Sequence, residues 1–324
     1  MPRQARLDAP GTLHHVIIRG IEKERIVDND EDRQDFVFRM GKIAPETGTV
    51  IYAWSLMPNH AHILLRSGAL GLSRYMRRLL TGYAVAYNRR HSRHGHLFQN
   101  RYKSIVCEED SYFLELVRYI HLNPLRARIL ENMSELARYP WCGHGVLMGR
   151  FKNEWQDRDY VLNWFGKREG EAKRAYHQYV EAGIAQGRRP ELVGGGLIRS
   201  RGGWSQVISL RRHGGRELSD ERILGSGDFV ERVTMEADKI VQYQFPANQR
   251  SQEVERFIEE VCKKERISVE ELRAGGRRRR ISQIRSMIAC KLVEIYGIPL
   301  AEIARQMGVS TSAISKTVKR STEQ

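Results

Sequence analysis

The segment Tyr52-Ala53-Trp54-Ser55-Leu56-Met57-Pro58-Asn59-His60-Ala61-His62-Ile63-Leu64-Leu65 constrains this chain more than any other. Apolar, β-favouring residues lie on both sides of Pro58-Asn59. They predict two strands, Val50 to Leu56 and His60 to Arg66, joined as a hairpin. Side chains alternate faces along a strand, so His60 and His62 leave theirs on the same side as neighbours. Two adjacent imidazoles can hold a divalent cation. Farther along comes Arg118-Tyr119-Ile120-His121-Leu122-Asn123-Pro124, after an apolar helical run. Tyr119 and Asn123 then fall at i and i+4 on one helix face, and Asn123 can add its side-chain oxygen to the cation. Magnesium prefers oxygen ligands, and two histidines shift the balance somewhat towards manganese, so Mg2+ or Mn2+ is the expected ion. A zinc hydrolase would need a further histidine, cysteine or carboxylate. His14, His15 and His121 have no matching spacing, and His121 points off the Tyr119–Asn123 face.

Four segments, in this order, resemble the HUH single-tyrosine transposases and, within them, the REP-associated tyrosine transposases of bacteria. They are Leu13-His14-His15-Val16-Ile17-Ile18-Arg19-Gly20, Leu56-Met57-Pro58-Asn59-His60-Ala61-His62-Ile63-Leu64, Phe98-Gln99-Asn100-Arg101-Tyr102-Lys103-Ser104 and Arg118-Tyr119-Ile120-His121-Leu122-Asn123-Pro124-Leu125-Arg126-Ala127. Two departures are small. Ala61 is less bulky than the usual residue between the histidines, and His121 stands where an acidic residue is common. The resemblance implies metal-dependent cleavage of single-stranded DNA through a 5′-phosphotyrosine intermediate, on a substrate with a short REP-like hairpin. It places the nucleophile at Tyr119 and the metal ligands at His60, His62 and Asn123. Tyr112 lies seven residues before Tyr119 on nearly the same face, but only Tyr119 has a polar, oxygen-bearing residue one turn on. Arg101 and Lys103 could hold backbone phosphates, and Asn59 could order a ligand or touch DNA. Trp54, Tyr83 and Tyr87 could stack on unpaired bases, although core packing suits each of them better. A non-catalytic DNA-binding regulator and a replication-initiating relaxase are the rival readings. Retention of His60, His62, Tyr119 and Asn123 argues against the first. A relaxase is usually larger, with a third histidine or a second tyrosine close to the first.

The formal charge of +15 is clustered, at Arg74, Arg77 and Arg78, at Arg89, Arg90 and Arg93, at Arg199 to Arg216, at Arg277 to Arg280, and at Lys316, Lys319 and Arg320. Such runs suit a polyanion, nucleic acid above all. The four cysteines show no metal-ligand spacing and read as unpaired thiols in a reducing compartment. No apolar run reaches the roughly 18 residues that span a membrane, and the start of the chain lacks a signal-peptide core. A cytoplasmic protein, monomer or homodimer, with no membrane partner is expected.

With 324 residues the chain has room for more than one domain. The order βαββαβα over residues 1–148 predicts an α+β catalytic domain, an antiparallel sheet with helices on one face. Its helices are expected over Glu31 to Ile43, capped by Asp30, over Leu72 to Arg90 and over Ser111 to Leu122, where Pro124 sets the boundary. Its last strand is expected over Tyr102 to Val106. Residues 149–218 read as a helical and Gly/Arg-rich linker, and 219–324 as an all-α DNA-binding domain. In the latter, 298–320 carries a helix-turn-helix pattern that resembles the DNA-binding domain of the replication initiator DnaA. Pro299 suits a first helical turn, Gly308 ends the first helix and Ser310 caps the second, with Thr311 to Lys319 as the recognition helix. The expected DNA contacts there are Arg277, Arg278, Arg279 and Arg280, and Thr311, Ser312, Ser315, Lys316 and Lys319.

Overall fold

Five strands form one sheet in the order β2-β3-β1-β4-β5. They are β1 (Leu13–Arg19), β2 (Val50–Leu56), β3 (His60–Arg66), β4 (Lys103–Cys107) and β5 (Ile223–Leu224). The computed structural model describes residues 7–187, 189–193, 220–243, 247–274, 279–294, 300–314 and 318. These residues group into two units, 1–75 with 96–241 and 76–95 with 242–324.

In the first unit, the Val/Ile-rich β1 takes the centre of the sheet, and its first six residues are buried. It runs antiparallel to β3, with Ile17 opposite His62 and Arg19 opposite His60. The β2–β3 hairpin closes through the Met57 amide, which donates to the His60 carbonyl at 2.8 Å. A bulge between Ile51 and Ala53 shifts its register. The first four strands are antiparallel, as the sequence predicts. β5 pairs parallel to β4, so the sheet is mixed, and a two-residue strand carries too little pattern to be read in advance.

Helix α1 (Asp30–Glu46) is capped by the Asn29 side chain, which accepts from the Asp32 amide at 2.9 Å, one residue earlier than expected. The next helix, α2 (Leu72–Arg90), has its first amides held by Asp8 Oδ1 and Oδ2, at 2.9 and 3.1 Å. Helix α3 (Glu109–His121) gives way to α4 (Asn123–Arg126), with Leu122 capping both. Pro124 has no amide hydrogen to continue the α3 ladder, so the break falls there. Short helices α5 (Met133–Arg138), α6 (His144–Leu147) and α7 (Arg158–Asn163) lead to α8 (Glu169–Ala182).

One core cluster joins Ile17, Ala53, Leu64 and Ile105 of the sheet to Phe113, Leu116, Val117 and Ile120 of α3, and to Val161, Tyr176, Val180 and Leu192. The helical part of the expected linker is therefore packed into this unit: its apolar residues recur at helical spacing and are buried on the sheet's partners. The other face of the sheet is covered too. Trp54 meets Trp155 at 5.6 Å between ring centroids, and Trp155 lies so close to Gly41 of α1 that a Cβ there would stand 2.4 Å from the indole. The even burial of β1 and β3 reflects helices on both faces rather than one. Helix α9 (Gly227–Tyr243) follows β5, and its Val230 packs with Val106 and Ile223.

The second unit contains α10 (Ala247–Glu265), α11 (Val269–Arg273), α12 (Arg279–Glu294) and α13 (Leu300–Gln306) around Ile258, Leu272, Ile288, Leu292, Ile303 and Met307. Gly308 follows α13 with φ +63°, and a Cβ there would stand 2.6 Å from the Arg273 carbonyl oxygen, so this turn needs glycine. Ser310 Oγ then accepts from the Ala313 amide at 3.1 Å and starts a helical turn over 311–314. Ile314 and Val318 are buried in the same core.

Candidate functional site

Period-two alternation puts His60 and His62 on one face of β3, and their rings meet edge to face at 5.2 Å. His15 on β1 joins them. In the antiparallel pair it stands opposite Leu64, diagonal to His62, and stacks on it at 5.1 Å. Tyr119 of α3 comes down on this group, its ring edge-on to His62 at 5.7 Å and to His15 at 5.9 Å. The guanidinium of Arg126, the last residue of α4, lies 5.3 Å from the Tyr119 ring centroid.

The hydrogen bonds fix which ring nitrogens carry protons. Asn59 Nδ2 donates to the Lys23 carbonyl at 3.2 Å, which leaves Asn59 Oδ1 as the acceptor for His60 Nδ1 at 2.7 Å. His60 Nδ1 is therefore protonated, and Nε2 keeps its lone pair. Behind His62, His15 Nε2 lies 2.9 Å from His62 Nδ1, and His15 Nδ1 donates to the Leu192 carbonyl at 3.0 Å. All three histidines are neutral at physiological pH. Burial, reinforced by Arg19, pulls His60 down to about 4. Burial likewise takes His15 to about 4 and His62 well below the usual imidazole range. Neutral imidazoles are what a metal ion requires.

Asn123 is buried one turn beyond Tyr119, in α4 rather than in the same helix. Among the described residues its Nδ2 has no hydrogen-bond partner. Amide oxygen and nitrogen are interchangeable by rotation, so the unpartnered position suits an oxygen facing a cation. The donor set of two imidazole nitrogens and one amide oxygen thus fits a divalent ion of the Mg2+ or Mn2+ class.

Burial raises the Tyr119 phenol above its ordinary value of 10.0, while Arg126 and Arg19 pull the other way. Among the described residues two guanidinium nitrogens of Arg126, Nε and Nη1, have no hydrogen-bond partner. Sequence reasoning missed Arg126 and left His15 a loose candidate for lack of a matching spacing. Arg126 lies in a quoted motif, seven residues past the tyrosine, and His15 sits two residues before the strand position that pairs with His62.

A cleft of about 470 Å3 opens beside the histidines, lined by Arg19, Gln99, Asn100, Tyr102 and Lys103 with Pro190 and Val193. Arg19 pairs with His60 across the strands, which ties the cleft to the site. Lys103 is exposed and donates to the Val193 carbonyl at 2.7 Å. Arg101 is exposed and precedes β4, so it does not share a strand face with Lys103. Trp54, Tyr83 and Tyr87 are buried, and Trp54 donates to Gln156 Oε1 at 2.9 Å.

In the second unit Arg280, Thr311 and Ser312 are exposed. Arg279 opens α12. Arg277, Arg278, Ser315, Lys316 and Lys319 lie outside the described residues, as does most of the Gly/Arg-rich stretch 187–215. Cys107, Cys142 and Cys262 are buried thiols. Among the described residues no helix is long and apolar enough to cross a membrane.

No curated protein matches the chain. A solved structure of a REP-associated tyrosine transposase bound to a REP hairpin is similar at 16% identity and a TM-score of 0.39, over 48% of this chain and 91% of that one. The family model for IS200-like transposases matches residues 11–123, a span that holds His15, His60, His62, Tyr119 and Asn123. Over that segment the chain is similar to the IS200-like transposases.

Proposed function

We propose that this protein nicks and rejoins single-stranded DNA, with Tyr119 as nucleophile and a divalent ion held by His60, His62 and Asn123. The observation that carries this reading is the seating of the Tyr119 ring, edge-on, 5.7 Å from the His62 ring. A bound Mg2+ or Mn2+ would polarise the scissile phosphate as a Lewis acid. Tyr119 Oη forms the new bond to phosphorus, its proton passing to solvent. The bond from phosphorus to the 3′ oxygen breaks, and that oxygen takes a proton to become a 3′-hydroxyl. The ester energy stays in the 5′-phosphotyrosine, so a second 3′-hydroxyl can reverse the step and join the strand elsewhere. Arg126 lies over the tyrosine ring, where its charge favours the developing phenolate. Arg19 and Lys103 bring two positive charges to the cleft, in reach of the phosphates of a single strand.

The four sequence segments support a strand with a REP-like hairpin as substrate. The second unit, with Gly308 and Ser310 shaping the turn before residues 311–314, supports a second DNA contact through a helix-turn-helix. The test is a labelled hairpin oligonucleotide from the DNA flanking the gene, incubated with Mn2+ and resolved on a denaturing gel. A covalent adduct with the wild type, none with Tyr119→Phe and none after chelation is the expected result. An adduct that survives Tyr119→Phe would overturn the assignment. Undiminished cleavage by a His60→Ala, His62→Ala variant would remove the metal site.

A further inference from the structure

Behind each strand histidine stands one polar side chain tied to a backbone carbonyl. For His60 it is Asn59, anchored on Lys23. For His62 it is His15, anchored on Leu192. A carbonyl oxygen only accepts, so the 3.0 Å contact to Leu192 requires a proton on His15 Nδ1. The 2.9 Å contact between His15 Nε2 and His62 Nδ1 holds a single proton. Placing it on His15 would make a fully buried imidazolium, with Lys103 as its charged neighbour and no carboxylate to offset it. The proton therefore sits on His62 Nδ1, and His62 Nε2 is bare.

We propose that His15 is a positioning residue for metal binding: clamped by the Leu192 carbonyl, it holds His62 in the tautomer whose Nε2 can bind the cation. The inference rests on the reading of His60 and His62 as metal ligands. The clamp is itself fixed. Leu192 belongs to a 3-10 turn, Pro190–Val193, with its side chain 1% exposed in the main core. The next carbonyl, Val193, takes the Lys103 ammonium at 2.7 Å. Part of what shapes the metal site thus comes from beyond residues 11–123, from a turn about seventy residues past Asn123 in the sequence. Partners that fix a ligating histidine's tautomer typically change metal affinity roughly 10- to 100-fold when removed.

The test uses the full-length protein without DNA and titrates Mn2+, reading free ion by its electron paramagnetic resonance signal. Thermal melting of the metal-free protein checks folding. His15→Leu should weaken Mn2+ binding roughly 10- to 100-fold. His15→Gln, whose amide can donate to Leu192 and accept from His62, should recover most of it. If His15→Leu does not fold, His15→Asn, too short to reach both partners, replaces it. Wild-type affinity in a folded His15→Leu, alongside lost binding in His60→Ala, His62→Ala, would overturn the positioning role and leave the metal site standing. Wild-type affinity in the double variant would overturn both.

Discussion

The first unit holds two clusters of histidine and tyrosine built from the same residue types. In one, His15, His60 and His62 surround the ring of Tyr119. In the other, Tyr176 of α8 lies between His121 at the end of α3 and His144 of α6, its hydroxyl 2.7 Å from Nδ1 of each. A hydroxyl can donate to one nitrogen and accept from the other, so Tyr176 satisfies both rings at once and is fully buried. Its phenol is raised well above the ordinary range by that burial. Tyr119 by contrast is half-buried, and its ring rather than its hydroxyl meets the imidazoles. The second difference lies at the far nitrogens. Among the described residues Nε2 of His121 and of His144 is sealed and unpartnered, whereas His60 is only partly buried. Residue type does not separate the cluster proposed to react from the structural one. The direction of the hydrogen bonds does, together with what remains open once they are made.

Exchanging each tyrosine for phenylalanine should break the comparison most sharply. Tyr119→Phe should abolish the DNA adduct and leave the melting temperature almost unchanged. Tyr176→Phe should do the reverse. Two buried imidazoles lose their shared partner, at a cost of about 1–3 kcal/mol, while the folded fraction still forms adduct. Loss of the adduct in folded Tyr176→Phe would mean that the two clusters act as one.

Acid should act on the second cluster as it does on the first, whose histidines burial also holds neutral. Burial lowers His144 from 6.5 to about 3, and it holds His121 well below the usual value. These groups stay neutral when folded and take up protons when unfolded. Stability is therefore full above about pH 6.5 and falls as pH drops towards 3, by about 1.4 kcal/mol per pH unit for each group. Between pH 6.5 and 5, His144→Asn should lose stability less steeply than the wild type in urea titrations. Parallel slopes would show that His144 does not carry this sensitivity.

Arg126 marks the first cluster only. Arg126→Gln removes a cation–π partner worth about 0.5–2 kcal/mol, so adduct formation should slow roughly 2- to 30-fold. Because Arg126 opposes the burial that raises Tyr119, the pH–rate profile of the variant should also move to higher pH. An unshifted profile would reduce Arg126 to packing. The smallest effect belongs to neither cluster. Arg280→Gln in α12 should lower the salt dependence of DNA binding by roughly 0.7–0.9 log units per tenfold change in salt. An unchanged slope would leave Arg280 without a phosphate contact.

Where pattern is long and periodic, the chain could be read ahead of its structure. β2, β3 and α2 have the expected bounds, because alternation and helical spacing each recur over many residues. Caps follow finer rules, and so Asn29 rather than Asp30 opens α1. Pairing at long range left no local trace. His15 becomes part of the site only through register with β3 and through a carbonyl from residue 192. A chain cut at residue 148, the end of the expected catalytic domain, would lose such long-range partners. Such a chain would keep every expected ligand and lose Leu192, Tyr176 and β5 from the sheet and its core.

The pairing of β5 with β4 has a further consequence for how the chain is held. Leu192 is anchored in the main core, and Ile223 and Leu224 are anchored at the sheet edge, both in the first unit. Residues 194–219 are thus spanned by fixed points at each end. A protease that cuts within this span severs the backbone without releasing β5, because the Val106 and Glu108 amides still donate to the Arg222 and Leu224 carbonyls, at 2.8 Å each. The nicked protein should run as one species on a sizing column and as two on a denaturing gel.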